Sequence, residues 1–152
     1  MSEADAAVAR GLALHRQGRI AEAEAIYAAV LAGVPDHAEA THLTGLAALQ
    51  TGRLDQAIAT LERAVVLDPA AAKPRNNLGN ALRAAGRLAE AADCFAAARA
   101  RDPALPGIDY NLGVALAECG RHEEAAESLA RAVAAAPGDA EAQNNLGTAL
   151  LH

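Results

Sequence analysis

Glycine recurs at a fixed interval of thirty-four residues along the whole chain, and this period constrains the fold more than any other feature. The first series consists of Gly11, Gly45, Gly79, Gly113 and Gly147. A second glycine series and a proline series keep the same interval, at Gly18, Gly52, Gly86 and Gly120 and at Pro35, Pro69, Pro103 and Pro137. A fixed period of this length is typical of proteins in which each repeat is one supersecondary unit. The chain is therefore predicted to consist of thirty-four-residue units.

The second glycine and the proline divide each unit into two helical windows. Arginine follows the second glycine in all four copies, which read QGRI, TGRL, AGRL and CGRH. Glycine at such a point can adopt the left-handed backbone conformation that ends a helix. Proline cannot continue a helix interior, so it ends the second window. Each unit is therefore predicted to be a helix-turn-helix.

The composition favours an all-α fold with closely packed helices. Hydrophobic residues make up 53% of the chain, yet aromatics make up only 2%, and 44 residues are alanine. Alanine has the highest helix propensity, and its small side chain lets helix axes approach each other. No stretch alternates apolar and polar residues as a half-buried strand would. We therefore expect helices throughout and no sheet.

Small and large side chains recur in register with the glycines. Alanine occupies one position of the second helix in every unit, and a large residue follows it at Tyr27, Leu61, Phe95 and Leu129, where it is expected to fill the space between neighbouring units. This pattern, with its closing proline, resembles the tetratricopeptide repeat (TPR) family. The resemblance implies a right-handed superhelical solenoid of antiparallel helix pairs, forming a single domain over residues 1–152. Four full repeats would occupy residues 4–37, 38–71, 72–105 and 106–139, and residues 140–152 would form the first helix of a fifth.

One position departs from the family pattern. The fourth residue of each repeat, large in much of the family, is Ala7, Thr41, Arg75 or Asp109 in this chain. We therefore expect the outer packing at this position to differ from that of the family.

The resemblance also implies that the first helices line a concave groove, with positions two, five, six, nine, twelve and thirteen of each repeat facing a ligand. These positions are largely apolar in the first two repeats, where His42 and Leu46 are candidate contacts. They are rich in asparagine in the later repeats. The candidate peptide-binding residues there are Lys73, Asn76, Asn77, Asn80, Arg83, Tyr110, Asn111, Asn144 and Asn145.

Asn77, Asn111 and Asn145 share one repeat position and are predicted to form a ladder. An asparagine amide both donates and accepts, so it can bind the backbone of an extended peptide whatever the peptide's side chains. The ladder resembles that of O-linked N-acetylglucosamine transferases, whose repeats hold protein substrates. Two interpretations stay open: the amides bind a ligand, or they hydrogen-bond to the adjacent helix.

The sequence argues against several other classes of function. A net charge of −6 offers no basic stripe for nucleic acid or an anionic membrane. No signal peptide and no run of eighteen apolar residues is present, so a cytoplasmic location is predicted. His37 and His42 lie five residues apart, whereas a zinc-binding helix needs four, and no phosphate-binding loop or nucleophile elbow occurs. We therefore predict no enzymatic activity, no metal and no cofactor for these residues.

The leading hypothesis is a protein-protein interaction scaffold that binds an extended peptide or protein segment in the groove. A first alternative is the substrate-recognition arm of a larger enzyme, such as a TPR-containing glycosyltransferase, with its catalytic domain elsewhere in a longer parent protein. A second is a self-assembly module. Leu146, Leu150 and Leu151 would have no following helix to cover them, so homo-oligomers could form through this terminal helix.

Overall fold

The structure is a computed structural model that describes all 152 residues, and it contains nine α-helices and no strand. The chain divides into two compact units, Met1–Ala70 and Ala71–His152. Unit 1 contains α1 (Glu3–Arg16), α2 (Ile20–Gly33), α3 (Ala38–Gln50) and α4 (Leu54–Leu67). Unit 2 contains α5 (Ala72–Ala84), α6 (Leu88–Arg101), α7 (Ile108–Glu118), α8 (His122–Ala135) and α9 (Ala140–Ala149). The predicted all-α class is confirmed.

Helices end at the predicted breakers. All four glycines of the second series have positive φ angles, between 76° and 79°, and each follows the end of an odd-numbered helix by two residues. The even-numbered helices end two residues before the prolines, as α2 does at Gly33 before Pro35. The residue that precedes each proline is non-helical, because the proline ring disfavours the helical conformation there. The odd-numbered helices are called first helices below, and the even-numbered ones second helices.

The first-series glycines allow close contact between the two helices of a repeat. A Cβ atom added at Gly11, Gly45, Gly79 or Gly113 would lie between 2.5 and 2.7 Å from the nearest atom of a large side chain. The four large side chains are Tyr27, Leu61, Phe95 and Leu129, and all are fully buried. We expected them to fill the space between neighbouring repeats. The structure places each against the glycine of its own repeat, because the missing Cβ leaves room there. Tyr27 also shares a hydrophobic core with Ala40 and Leu43 of the following repeat.

Side chains at the fourth repeat position form hydrogen bonds or ion pairs in three of the four full repeats. Asp109 Oδ1 accepts from Arg99 Nε at 2.7 Å and from Arg131 Nε at 2.9 Å, so one carboxylate links α6, α7 and α8. Arg75 is buried and donates to the Ala71 carbonyl at 2.8 Å. The Thr41 hydroxyl is likewise buried and donates to the His37 carbonyl at 3.0 Å. Each polar side chain at this position therefore has a hydrogen-bond partner within the protein.

Candidate protein-interaction surface

All six asparagines of the chain lie on the first helices of unit 2, and none lies on a second helix. Asn76, Asn77 and Asn80 belong to α5, Asn111 to α7, and Asn144 and Asn145 to α9. Asn144 is exposed and the other five are half-buried. We call the face formed by these asparagines and by Lys73, Arg83, Tyr110, Glu118 and Glu141 the amide face.

Hydrogen bonds between successive first helices connect the amide face. Asn111 Nδ2 donates to Asn76 Oδ1 at 3.0 Å, which links α5 to α7. Asn145 Nδ2 donates to the Tyr110 hydroxyl at 3.3 Å, which links α7 to α9. In both cases the sixth residue of one repeat bonds to the fifth residue of the preceding repeat, thirty-five positions earlier. Two of the three predicted ladder residues therefore hold neighbouring repeats together.

The same offset of thirty-five residues joins positions twelve and thirteen of successive repeats. Arg83 Nε and Nη2 donate to the two carboxylate oxygens of Glu118, at 2.7 and 2.8 Å, in a bidentate ion pair. The pKa of Arg83 is raised by these hydrogen bonds. In unit 1, His15 Nε2 lies 2.6 Å from Gln50 Oε1 at the equivalent positions. Within each of the two units, therefore, polar pairs join successive first helices at the same repeat positions.

Tyr110 lies at the centre of the second link. Its hydroxyl donates to Glu141 Oε1 at 2.5 Å while it accepts from Asn145. Burial, the hydrogen bond to the Glu141 carboxylate and the negative charge of that carboxylate together raise the pKa of Tyr110 to about 12, since all three disfavour the phenolate. The phenol therefore stays protonated at neutral pH and fixes one oxygen of Glu141.

Part of the hydrogen-bonding capacity of the amide face remains unused within the chain. Neither Asn80 nor Asn144 makes a side-chain hydrogen bond. Asn80 lines a cleft together with Arg83, Ala84, Leu88 and Glu118. A second cleft lies between α7 and α9, lined by Val114, Ala117, Asn145 and Thr148 among others. Amide donors and acceptors thus lie beside two hollows that a polypeptide could enter.

The two candidate residues of unit 1 lie in a different environment. His42 is only 4% exposed, and its Nδ1 lies 3.5 Å from Glu39 Oε2. Leu46 is half-buried and packs against the core that contains Val8, Tyr27 and Leu43. His37, at the start of the same sequence stretch, caps α3 by accepting from the Ala40 N–H at 3.3 Å. These side chains have structural contacts, and their role in peptide binding stays a prediction.

Glu118 and Glu141 belong to the amide face but were not among the candidate residues predicted from the sequence. Each completes a pair with a predicted residue, Glu118 with Arg83 and Glu141 with Tyr110. The sequence carried a signal for the first pair, because residues of opposite charge stand thirty-five positions apart at groove positions. The axial offset between neighbouring first helices, which the sequence does not reveal, was needed to read it.

Comparisons with known proteins agree with this architecture. The profile of the tetratricopeptide repeat family matches residues 8–72, 76–140 and 110–152. The chain belongs to the tetratricopeptide repeat family. The predicted TPR solenoid class is thereby confirmed. No match was found among curated proteins.

Solved TPR structures resemble the chain over most of its length. A crystal structure of MamA is 27% identical with a TM-score of 0.83, covering 91% of this chain and 81% of MamA. YrrB, described as a TPR protein with an unusual peptide-binding site, is 26% identical with a TM-score of 0.78, covering 93% of this chain and 73% of YrrB. Pseudomonas aeruginosa PilF, at 20% identity and a TM-score of 0.85, shares the fold. The narrower resemblance to glycosyltransferases stays a prediction.

Family membership supports a protein-interaction scaffold with protein or peptide partners. TPR proteins are generally scaffolds without catalytic activity. No helix in the structure is long and apolar enough to cross a membrane.

Proposed function

We propose that the amide face of unit 2 binds an extended segment of another protein through hydrogen bonds to its backbone. The observation that carries this proposal is the confinement of all six asparagines to α5, α7 and α9. Asparagine amides can pair with both the N–H and the C=O of an extended chain. A face of this kind would accept many sequences.

Helix stability does not account for the asparagines that lack a side-chain hydrogen bond. Asparagine is less favourable than alanine in a helix by about 0.5 kcal/mol. Asn111 and Asn145 offset this cost with hydrogen bonds to the neighbouring helix. Asn80 and Asn144 make none, although the chain uses alanine freely elsewhere. Ligand binding provides the reason for amides at these two positions.

The comparison with YrrB agrees with this proposal, because that protein is described as having a peptide-binding site and is similar over most of the chain. The two clefts beside the amide face would accommodate side chains of the bound segment. Asn76, Asn77, Asn111 and Asn145 would complete the contact surface with Lys73, Arg83 and Tyr110.

Capture of peptides from a synthetic random library tests the proposal, with Asn80→Ala/Asn144→Ala as the variant. These two side chains make no bond within the protein, so their removal should leave the fold intact. Two lost hydrogen bonds of about 1 kcal/mol each predict a tenfold or greater loss of affinity for captured peptides. The control is Gln56→Ala, which truncates an exposed amide on the second helix α4. Equal affinity of all three proteins for the captured peptides would contradict the proposal.

A further inference from the structure

Two charged side chains of the amide face, Lys73 and Glu141, form no ion pair, although the negative charge of Glu141 contributes to the raised pKa of Arg83. The face carries four charges, on Lys73, Arg83, Glu118 and Glu141. Arg83 and Glu118 neutralise each other in the bidentate pair. Glu141 bonds to the uncharged Tyr110 hydroxyl, and Lys73 is exposed and forms no ion pair. One positive and one negative charge are therefore available to a ligand.

These two charges stand at opposite ends of the amide face. Lys73 and Glu141 both occupy the second position of their repeats, on α5 and α9. Gly107 holds this position in the intervening repeat and presents no side chain. The Tyr110 hydroxyl fixes one oxygen of Glu141 and leaves the other without a hydrogen bond. The second positions of these three repeats thus present a cation on Lys73, no side chain at Gly107 and an anion on Glu141.

Helix stability does not explain Lys73. Eight of the nine helices have an acidic residue in the first turn, and α5 is the exception. The positive end of a helix dipole lies at its N-terminus, so a lysine there is unfavourable. Glutamate at the same place, as in α9, is favourable. The lysine departs from the rule that the rest of the chain follows.

The separation of the two charges defines a spacing on the ligand. Helices α5, α7 and α9 are joined in series by the Asn111–Asn76 and Asn145–Tyr110 hydrogen bonds. Packed helices lie about 8–10 Å apart, so two steps span about 16–20 Å. An extended chain advances about 3.3 Å per residue. The distance between the charges therefore corresponds to about five or six residues of bound peptide.

We infer that the segment bound by the amide face carries an acidic residue that contacts Lys73 and, about five or six residues away, a basic residue that contacts Glu141. This inference rests on the proposed function and adds the charge pattern of the partner. The hydrogen bonds of the asparagines would hold the backbone, and the two terminal charges would select among segments. Segments with two like charges at this spacing would be rejected by one end of the face.

Fluorescent peptides of alanine, serine, threonine and glycine provide the test, with two variable positions about six residues apart. The four peptides carry glutamate and lysine, two lysines, two glutamates or two glutamines at these positions, and fluorescence anisotropy gives Kd. The wild-type protein should bind the glutamate-lysine peptide about threefold to tenfold more tightly than the glutamine peptide. Lys73→Glu should shift the preference to the two-lysine peptide. Glu141→Lys should shift it to the two-glutamate peptide.

The control Glu127→Lys changes the net charge by the same amount as Glu141→Lys, but on the exposed surface of α8. It should leave the order of affinities unchanged. Lys73→Glu places an acid where a helix favours one, so this variant should fold even if Glu141→Lys loses stability with the Tyr110 bond. Equal binding of all four peptides by the wild type would overturn this inference and leave the proposed function standing. The same holds for an order of affinities that neither substitution changes. Failure of every peptide to bind, the glutamine peptide included, would overturn the proposed function as well.

Discussion

Asn111 donates a hydrogen bond to Asn76 across 3.0 Å and so joins the first helices of two successive repeats. The same offset recurs in the Asn145–Tyr110 bond, which carries the connection to α9. These asparagines therefore stabilise the stack of repeats in unit 2 as well as contributing to its amide face. The next question is how much stability each amide provides.

Alanine substitution should change the free energy of unfolding in opposite directions at asparagines that make a side-chain hydrogen bond and at those that make none. Asn111→Ala loses a hydrogen bond of about 1 kcal/mol and regains about 0.5 kcal/mol of helix propensity, so a net loss of about 0.5 kcal/mol is expected. Asn80→Ala loses no side-chain hydrogen bond and should gain about 0.5 kcal/mol. Urea unfolding followed by circular dichroism measures both. Equal changes in the two variants would show that the Asn111–Asn76 bond contributes nothing.

The packing role of the first-series glycines predicts opposite effects at two equivalent positions. A methyl group at Gly113 would lie 2.6 Å from Leu129 Cγ, so Gly113→Ala should lower the free energy of unfolding by about 1–3 kcal/mol. Gly147 has no atom within 4 Å of an added Cβ. Gly147→Ala should therefore be neutral or stabilising, by up to about 1 kcal/mol, through its helix propensity. Thermal unfolding of both variants gives the comparison, and a stabilised Gly113→Ala would contradict the assigned contact.

The carboxylate at the fourth position of the fourth repeat should matter for the stability of unit 2. Asp109→Asn keeps the shape of the side chain but removes the charge that two arginines share, and we expect a loss of about 1–2 kcal/mol. Glu90→Gln, which weakens the exposed pair with Arg87, should cause little change. The loss at Asp109 should shrink in high salt if the charge is its cause. Denaturant unfolding at two salt concentrations distinguishes these outcomes.

The pKa of the Tyr110 phenol tests the contact between Tyr110 and Glu141. Its pKa of about 12 exceeds the ordinary value of about 10, so the folded state holds the phenolic proton more tightly than the unfolded chain does. The corresponding stability is present below pH 10 and is lost as the pH rises from about 10 towards 12. Glu141→Gln should lower the pKa of Tyr110 and leave that of Tyr27 unchanged. A carbon NMR titration resolves the two tyrosines, and an unchanged pKa for Tyr110 would exclude the contribution of Glu141.

Sterics and backbone conformation made much of the fold predictable from the sequence. The thirty-four-residue period located the helix ends, because glycine and proline act on the backbone where they stand. The first glycine series indicated close contacts between helices, because a residue without a side chain lets two helices approach each other. The contacts of Tyr27 and its counterparts with the glycines of their own repeats were not predicted, because a period shows which residues recur and does not show which ones touch.

The amide face was predictable in composition and unpredictable in connectivity. The sequence identified the asparagine-rich first helices and left open whether the amides bind a ligand or a neighbouring helix. The pairing of position six with position five of the preceding repeat depends on the axial offset between helices, which the sequence does not contain. The shared carboxylate of Asp109 was hidden for the same reason, since its two arginines lie ten residues before and twenty-two residues after it.

The most direct test of the central claim is a nitrogen-15 NMR titration of the whole protein with a peptide captured from the random library. If the amide face binds the peptide, backbone signals of α5, α7 and α9 and the side-chain amide signals of Asn80 and Asn144 should shift together. Signals of the second helices α6 and α8 should stay in place apart from the residues that line the clefts. Shifts confined to α6 and α8, with the asparagine side-chain signals unmoved, would contradict the account.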